Sequence, residues 1–226
     1  MGSGLLNGEV PALEAADVRC WLYDVSELYD DTTFSMTMGC LPWEERRQRA
    51  RRYRFKKDQC LCLGAGLLVA YALKKMGVRD LSLGSGEWGK PYLLRYPHIH
   101  FNLSHSGTMV ACAVASEPVG VDVEERHAYD EGVARLCFTI AERHWMMGQP
   151  NVDEAFVRLW VRKESYLKLL GTGLTDDVRA FDVTPGLTGR RNVQFSEREQ
   201  GGHTVCVCAE SPARVTFETM EMLPIA

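Results

Sequence analysis

The sequence predicts an α+β fold in which two similar halves pack together as subdomains of one unit. Strand-like patterns alternate with helix-like patterns, and each half runs in the order strand, helical region, strands. No segment rich in proline, glycine and serine separates the halves, as a flexible linker would. A chain of 226 residues, 46% hydrophobic, can bury one large core or two small ones. We place the subdomains at residues 1–116 and 117–226.

The first half begins with a predicted strand at residues 19–25, in which Trp21, Tyr23 and Val25 share one face because side chains alternate along a strand. Its other predicted elements are a helical stretch at 43–75 capped by Gly77, a loop at 84–91, a strand at 99–103, a tight turn at 104–107 and a strand at 109–115.

The second half opens with a short apolar strand at residues 119–123. Two helices are predicted at 141–147 and 155–170, and Gly171 is expected to end the second one. Short strands then follow at 181–183, 193–195, 204–209 and 214–218.

Composition limits the class of protein. The net charge of −4 predicts no general affinity for nucleic acid or anionic membranes. The longest uncharged apolar run, residues 61–73, is too short to span a bilayer, and we expect no signal peptide. The C-x-C pairs at Cys60/Cys62 and Cys206/Cys208 lie among apolar residues, which favours core packing over zinc binding. We therefore expect a reduced, cytoplasmic protein.

Two carboxylates end the strand that opens the second half. Asp122 and Glu124 are two residues apart, so their side chains should project from the same face of the strand. Like charges placed so close repel each other, and a bound cation such as Mg²⁺ relieves the repulsion. The alternative is an ordinary charged strand end that faces water.

A second group of polar residues lies on the long helix predicted at 155–170. Trp160, Glu164 and Lys168 recur every four residues and share one helix face. Lys168 could bind a phosphate, while Glu164 could approach a metal ion or a nucleophile. The alternative is a surface ion pair beside a buried tryptophan.

Basic residues are concentrated in one segment of this acidic chain. Eight arginines and lysines lie within residues 46–57 with no acid between them, and Arg46 and Arg49 form one side of the cluster. The cluster favours a specific anionic partner, either a phosphate-rich cofactor or an acidic protein surface. Nucleic acid is less favoured because only Tyr53 and Phe55 could stack on bases. A solvated helix face is the alternative.

Two further segments are suited to phosphate binding. Lys90 follows a glycine, so the backbone there can approach a ligand closely. Ser104 and His105 offer a hydroxyl and an imidazole in one short segment. Hydrolase chemistry is the alternative for this Ser-His pair, but adjacent residues rarely align as nucleophile and base, and no G-x-S-x-G motif is present.

These blocks, in this order, resemble the phosphopantetheinyl transferases of the surfactin-synthetase-activating type. The matching blocks are Trp88-Gly89-Lys90-Pro91, His100-Phe101-Asn102-Leu103-Ser104-His105-Ser106-Gly107, Val119-Gly120-Val121-Asp122-Val123-Glu124, Phe138-Thr139-x-x-Glu142, Trp160-Val161-Arg162-Lys163-Glu164-Ser165-Tyr166-Leu167-Lys168 and Gly171-Thr172-Gly173-Leu174. No single block is decisive, but the first five in this order are highly specific, and the block at residues 171–174 fits as well.

The resemblance implies a pseudo-twofold α+β fold with coenzyme A between the halves, and transfer of its phosphopantetheine arm to a serine of an apo carrier protein. It implies a monomer and Mg²⁺ as cofactor. Its residue roles carry over as follows: Asp122, Glu124 and Glu164 bind the metal, Arg46 and Arg49 the 3′-phosphate, Lys90, Ser104 and His105 the nucleotide and its phosphates, and Lys168 the pyrophosphate, with Glu164 also the candidate base and Glu142 in a supporting role.

One departure from the family pattern affects the nucleotide end of the site. The family often has polar or basic residues where this chain has Cys60-Leu61-Cys62, so one ligand contact there is in doubt. Two other functions use the same residue types: a Mg²⁺-dependent nucleotide phosphohydrolase, and a non-catalytic module that binds coenzyme A or a carrier protein. The carrier's identity is not encoded in these motifs, although surplus cations among residues 47–57 could receive an acidic one.

Overall fold

The chain folds around two β-sheets in a computed structural model that describes residues 16–86, 89–171, 178–186, 192–210 and 212–221. In the first half the elements are β1 (Asp17–Asp24), a 3₁₀ turn (Val25–Tyr29), α1 (Asp31–Met38), α2 (Glu44–Arg52), α3 (Lys56–Lys75), β2 (Leu83–Ser85), β3 (Pro91–Leu93), β4 (His100–Ser106) and β5 (Met109–Ala115). In the second half they are β6 (Val119–Glu125), α4 (Glu131–Cys137), α5 (Ile140–Met147), α6 (Val152–Leu170), β7 (Val193–Gln200), β8 (His203–Glu210) and β9 (Arg214–Thr219).

The two sheets repeat one topology, which agrees with the predicted pair of similar halves. The first sheet has the order β4-β5-β1-β9 and the second has the order β6-β8-β7. In each half a strand leads into a long helix and then a hairpin, and the second hairpin strand pairs antiparallel with the first strand. β9 is additional and pairs parallel with β1. The α+β fold class is thus confirmed, while the boundary at 116/117 stays a prediction.

The elements stack in four layers, helix on sheet on sheet on helix. α3 covers one face of the first sheet, where Trp21, Tyr23 and Val25 lie together in one core as their alternation predicts. The two sheets face each other through small side chains, mainly valine and alanine. α6 covers the outer face of the second sheet, so each long helix has its own core.

Helix α6 lies in backbone contact with β6. A Cβ atom at Gly120 would stand 1.9 Å from the Ser165 carbonyl oxygen and 2.5 Å from the Leu169 amide nitrogen. Only glycine permits this approach, because any side chain would occupy the position of the helix backbone. The contact fixes α6 against β6 two residues before Asp122, the first of the two predicted acids.

Side-chain caps define the start of the shorter helices. The carboxylates of Asp30 and Asp130 accept the backbone N–H groups of the first turns of α1 and α4, and Thr139 and Glu142 form a reciprocal capping box at α5. Gly171 ends α6 with a positive φ of 73°, as predicted, and Gly77 follows α3 with a φ of 81°. The sequence pattern predicts neither α1 nor α4.

Several other predicted elements were wrong in extent. The helical stretch at 43–75 is two helices interrupted between Arg52 and Lys56. The predicted loop at 84–91 contributes to two short strands of a hairpin, β2 and β3. Residues 104–106 belong to β4 and not to a turn, and 181–183 do not form a strand.

The cysteines pack as predicted. Cys60, Cys206 and Cys208 are buried in apolar cores, and each of the eight cysteines is free. Of the family-like motifs, Trp88 and residues 172–174 lie outside the described part of the chain. No helix within the described ranges has the length and apolar character needed to cross a membrane.

Candidate active site

A groove runs between the two halves and has three connected parts. We name them the arginine pocket (Arg46, Arg49, Tyr53, Asp58, Cys62 and His105), the lysine pocket (Gly89, Lys90, Asn102, Leu167 and Gly171) and the acid pocket (Ser104, Asp122, Glu124, Trp160, Glu164 and Lys168). Leu103 lines all three pockets, so they form one continuous groove. Every residue predicted to bind the metal or coenzyme A lies in this groove, whereas Glu142, predicted to have a supporting role, does not.

The acid pocket begins where β4 lies alongside β6. These strands belong to different sheets and are not paired by backbone hydrogen bonds. Alternate side chains of β4 form hydrogen bonds to β6 instead. The Asn102 Oδ1 accepts the Val121 N–H at 3.0 Å, and the Ser104 hydroxyl donates to Asp122 Oδ1 at 2.7 Å. We call this side-chain contact between β4 and β6 the seam, and its register positions the acids of β6.

Asp122 is buried and bonded through only one of its oxygens. The Lys168 ammonium donates to Asp122 Oδ1 at 2.6 Å and to the Ser104 hydroxyl at 2.8 Å. Burial raises the pKa of Asp122, and the Lys168 charge partly opposes that rise. Within the described residues, Asp122 Oδ2 is buried without a hydrogen-bond partner. Such an oxygen is costly unless something binds it.

The other two acids line the same pocket in different surroundings. Glu164 is half-buried, and desolvation raises its pKa, with the Asp122 carboxylate adding to the rise. Glu124 accepts hydrogen bonds on both oxygens, from the Ser106 hydroxyl at 2.7 Å and from the Trp160 indole N–H at 3.3 Å. Trp160, Glu164 and Lys168 thus face one pocket, as their spacing on α6 predicts.

The acid pocket has ligand atoms of the kind that a metal ion binds, but its side chains are not gathered closely around one point. Carboxylate oxygens are the ligands that Mg²⁺ prefers, and the unpartnered Asp122 Oδ2 is free to bind one. Yet no three acidic, histidine or cysteine side chains among the described residues converge closely enough to hold a metal. The donor set fits magnesium, and the ion itself stays a prediction.

The arginine pocket gathers cations at the other end of the groove. Arg46 donates to the Cys62 carbonyl oxygen at 3.3 Å, and Arg49 donates to the Tyr53 hydroxyl at 3.3 Å. Burial lowers the pKa of Arg46, whereas the hydrogen bond to Tyr53 raises the pKa of Arg49. Cys62 lies in the pocket lining, where the sequence left a ligand contact in doubt.

His105 points to the arginine pocket side of β4, while Ser104 points to β6. The exposed His105 imidazole has a pKa lowered by desolvation within the groove. Lys90 closes the lysine pocket and donates to the Lys168 carbonyl oxygen at 2.8 Å, and burial lowers the Lys90 pKa. The two lysines therefore lie side by side at the end of α6.

Glu142 lies outside the groove in a buried ion pair with Lys163. Their charged groups are 3.0 Å apart and both side chains are 0% exposed. The Lys163 ammonium also donates to the carbonyls of Val178 and Phe181, while Glu142 accepts the amides of Thr139 and Val183. The pair ties the segment after α6 to the helix, which agrees with a supporting role.

Four residues in or beside the groove are not among the predicted site residues. Asp58 and Tyr53 line the arginine pocket, and Asn102 and Ser106 belong to the seam between β4 and β6. The signal for the last two was available: they alternate with Ser104, so a longer strand β4 would have placed all three on one side.

Comparisons with known proteins match both halves of the chain. Sequence models described as "4'-phosphopantetheinyl transferase, N-terminal" and "4'-phosphopantetheinyl transferase superfamily" match residues 30–118 and 118–217. A 4'-phosphopantetheinyl transferase of Bacillus subtilis is 32% identical over 170 residues, which cover 72% of this chain and 73% of the relative.

The chain belongs to the 4'-phosphopantetheinyl transferase superfamily. The 4'-phosphopantetheinyl transferase Sfp of Bacillus subtilis (strain 168) is 28% identical over 183 residues, covering 74% of this chain and 82% of the relative. The L-aminoadipate-semialdehyde dehydrogenase-phosphopantetheinyl transferase of Mus musculus is 28% identical over 162 residues, 62% of this chain and 52% of that protein. The resemblance found in the motifs is confirmed, and with it the enzyme class and the two-subdomain fold of phosphopantetheinyl transferases.

Proposed function

We propose that this chain transfers the phosphopantetheine arm of coenzyme A to a serine of an apo carrier protein in a Mg²⁺-dependent reaction that releases 3′,5′-ADP. The observation that carries the proposal is the groove, in which a cationic pocket and an acidic pocket meet at Leu103. A polyanionic nucleotide needs the first, and phosphoryl transfer needs the second. A single chain builds the whole groove, which supports a monomer, and the free cysteines support a reducing cytoplasm.

Coenzyme A would lie along the groove with its 3′-phosphate in the arginine pocket. Arg46 and Arg49 supply two guanidinium groups there, which suit bidentate phosphate binding. His105, Ser104 and Lys90 would contact the nucleotide and its phosphates on the way to the acid pocket. This arrangement places the pyrophosphate beside Lys168.

Lys168 is prepared to bind a phosphate oxygen. Its ammonium has three protons, and two of them are donated to Asp122 and Ser104. Among the described residues no acceptor is recorded for the third proton, which points it to the pyrophosphate as a candidate partner. The hydrogen bonds to Asp122 and Ser104 orient the Lys168 ammonium, so it can neutralise charge that develops on the leaving group.

Asp122, Glu124 and Glu164 would hold the magnesium ion, with Asp122 contributing the oxygen that Lys168 leaves free. The bound ion supplies further charge neutralisation on the pyrophosphate.

Glu164 is the candidate general base. Desolvation raises its pKa, and a higher pKa makes a carboxylate a stronger proton acceptor. The carrier serine would give its proton to Glu164 as its oxygen bonds to the β-phosphorus. The bond between that phosphorus and the bridging oxygen then breaks, and 3′,5′-ADP leaves with the electron pair.

Intact mass spectrometry of apo carrier proteins tests the proposal. Incubation with the chain, coenzyme A and MgCl₂ should add the mass of one phosphopantetheine arm, and Glu164→Gln and Asp122→Ala should abolish most of the transfer. Full transfer by both variants would refute the assigned roles. Consumption of coenzyme A without a carrier would indicate a phosphohydrolase, and coenzyme A binding with no change in carrier mass would indicate a binding module.

A further inference from the structure

The seam between β4 and β6 pairs two serines with two acids. Ser104 and Ser106 alternate along β4, and Asp122 and Glu124 alternate along β6, so each serine hydroxyl meets one carboxylate at 2.7 Å. Ser104 also contacts Lys168, which places it in the phosphate-binding part of the site. Ser106 does not contact Lys168 within the described residues, so any part that its hydroxyl plays in the site acts through Glu124.

The hydrogen bonds of Ser106 have a fixed direction. The Glu125 backbone N–H donates to the Ser106 Oγ at 3.1 Å, so the hydroxyl oxygen is an acceptor in that bond. Its single proton is then available to Glu124 Oε2 at 2.7 Å. The Glu124 oxygen is therefore the acceptor of a directed hydrogen bond, and this bond restricts the orientation of the carboxylate.

Two donors from different halves of the molecule hold the Glu124 carboxylate. Ser106 of β4 donates to Oε2, and the Trp160 indole of α6 donates to Oε1 at 3.3 Å. Each oxygen of a carboxylate can accept about two bonds, so one position on each remains for a ligand. Opposed donors of this kind fix the rotation of a carboxylate without consuming its capacity to bind a metal.

Ser106 is itself anchored by the turn that follows it. Gly107 has a positive φ of 59°, and a Cβ there would stand 2.5 Å from His203 Nε2 and 2.9 Å from the Glu125 carboxyl carbon. The turn is therefore seated against the paired ends of β6 and β8, where Glu125 and His203 are opposite each other. The strand that carries the Ser106 hydroxyl is thus followed by a turn that packs against both β6 and β8.

We propose that Ser106 is a positioning residue that orients the Glu124 carboxylate for the metal ion. The inference rests on the proposed function, since it assumes that Glu124 is a magnesium ligand. Groups that orient metal ligands typically change metal affinity by about 10–100-fold when they are removed. Ser106 should therefore affect Mg²⁺ binding, while binding of coenzyme A at saturating Mg²⁺ should not depend on it.

Calorimetric titration of MgCl₂ into the coenzyme A-saturated protein tests this role. The heat of titrating MgCl₂ into coenzyme A without protein is subtracted. Ser106→Ala should raise the Kd for Mg²⁺ by roughly tenfold or more. Ser106→Thr, which retains a hydroxyl on a strand, should restore affinity close to that of the wild type. Ser196→Ala is the matched control, because Ser196 lies on β7, the counterpart of β4 in the second sheet. The melting temperature of each variant verifies that it is folded.

An unchanged Mg²⁺ affinity in Ser106→Ala would overturn the positioning role while leaving the proposed function intact. A Ser106→Thr variant as weak as Ser106→Ala would also overturn it, because the hydroxyl would then not be the feature that matters. Absence of Mg²⁺ binding in the wild type, together with transfer in the presence of EDTA, would overturn both the role of Ser106 and the metal dependence of the proposed function.

Discussion

Replacement of Gly120 by alanine would place a methyl carbon where the backbone of α6 already lies. The new Cβ would stand 1.9 Å from the Ser165 carbonyl oxygen and 2.5 Å from the Leu169 amide nitrogen. Both atoms belong to the helix backbone, so no side-chain rotation can relieve the overlap. Either β6 or α6 must move.

The size of that movement sets the expected effect. Ordinary contact begins near 3.4 Å, so the helix must withdraw by about 1.5 Å. Overpacking of this kind costs about 1–3 kcal/mol of stability. The withdrawal would also separate Lys168 from Asp122, now 2.6 Å apart, and a misplacement of about 1 Å can cost on the order of 100-fold in rate. Gly120→Ala should therefore lose far more activity than stability alone explains.

Steady-state phosphopantetheine transfer and urea unfolding measure the two effects separately. We expect kcat/KM to fall by about 100-fold and the free energy of unfolding by about 1–3 kcal/mol. Gly39→Ala is the control, because its Cβ would meet nothing closer than the Met36 carbonyl oxygen at 3.5 Å. Wild-type activity and stability in Gly120→Ala would refute the backbone contact between β6 and α6.

Three further predictions concern other parts of the chain. Lys163→Met should lower the free energy of unfolding by about 3–5 kcal/mol in urea titrations because it leaves the Glu142 charge buried alone; Lys163→Met/Glu142→Leu should recover most of the loss. Arg51→Glu/Arg52→Glu should raise KM for an acidic carrier and spare KM for coenzyme A, since both arginines are exposed and form no ion pair within the described residues. In EDTA, Glu164→Gln should be more stable than the wild type at pH 7.5 in urea titrations because it removes a desolvated charge. That advantage should shrink as pH falls through the raised folded pKa of Glu164 and disappear below the ordinary glutamate pKa of about 4.3, where the wild-type carboxyl is protonated in both the folded and the unfolded state.

Each of these three has an internal control. The double variant without either charge separates the buried charge from lost packing, and a loss under about 1 kcal/mol in the single variant would contradict the pairing. Arg51 and Arg52 end α2, and Lys74→Glu/Lys75→Glu makes the same charge change at the C-terminal end of α3, so an equal effect on carrier KM would refute a local docking surface. A stability advantage of Glu164→Gln that does not vary with pH would contradict the raised pKa.

The sequence predicted the acid pocket because local periodicity determined it. Asp122 and Glu124 alternate on a strand, and Glu164 and Lys168 are four residues apart on a helix, so each pair shares a face whatever surrounds it. The pocket then requires only that these faces of β6 and α6 lie against each other. That meeting depends on Gly120, whose role in helix contact no local pattern reveals.

The errors arose where tertiary contacts override local preference. Ser104, His105 and Ser106 have the composition of a turn, but they continue β4 because their backbones pair with β5, and β6 supplies hydrogen-bond partners to the two serine side chains. Phe181 and Val183 have the composition of a strand, yet side chains of α6 bind their backbone carbonyls instead of a neighbouring strand. Neither outcome can be read from a window of ten residues.

The pairing of β9 with β1 has a consequence for the order in which the protein acquires its structure. Asp17 is opposite Arg214, 197 residues later in the sequence, so the edge strand that covers β1 is made long after β1 itself. While the ribosome is still making the second half, the outer edge of β1 has no partner and exposes its backbone donors and acceptors. Contacts of such long separation form slowly and late. The first half therefore completes its sheet only after residues 214–219 have left the ribosome, and the growing chain depends on protection of that open edge until then.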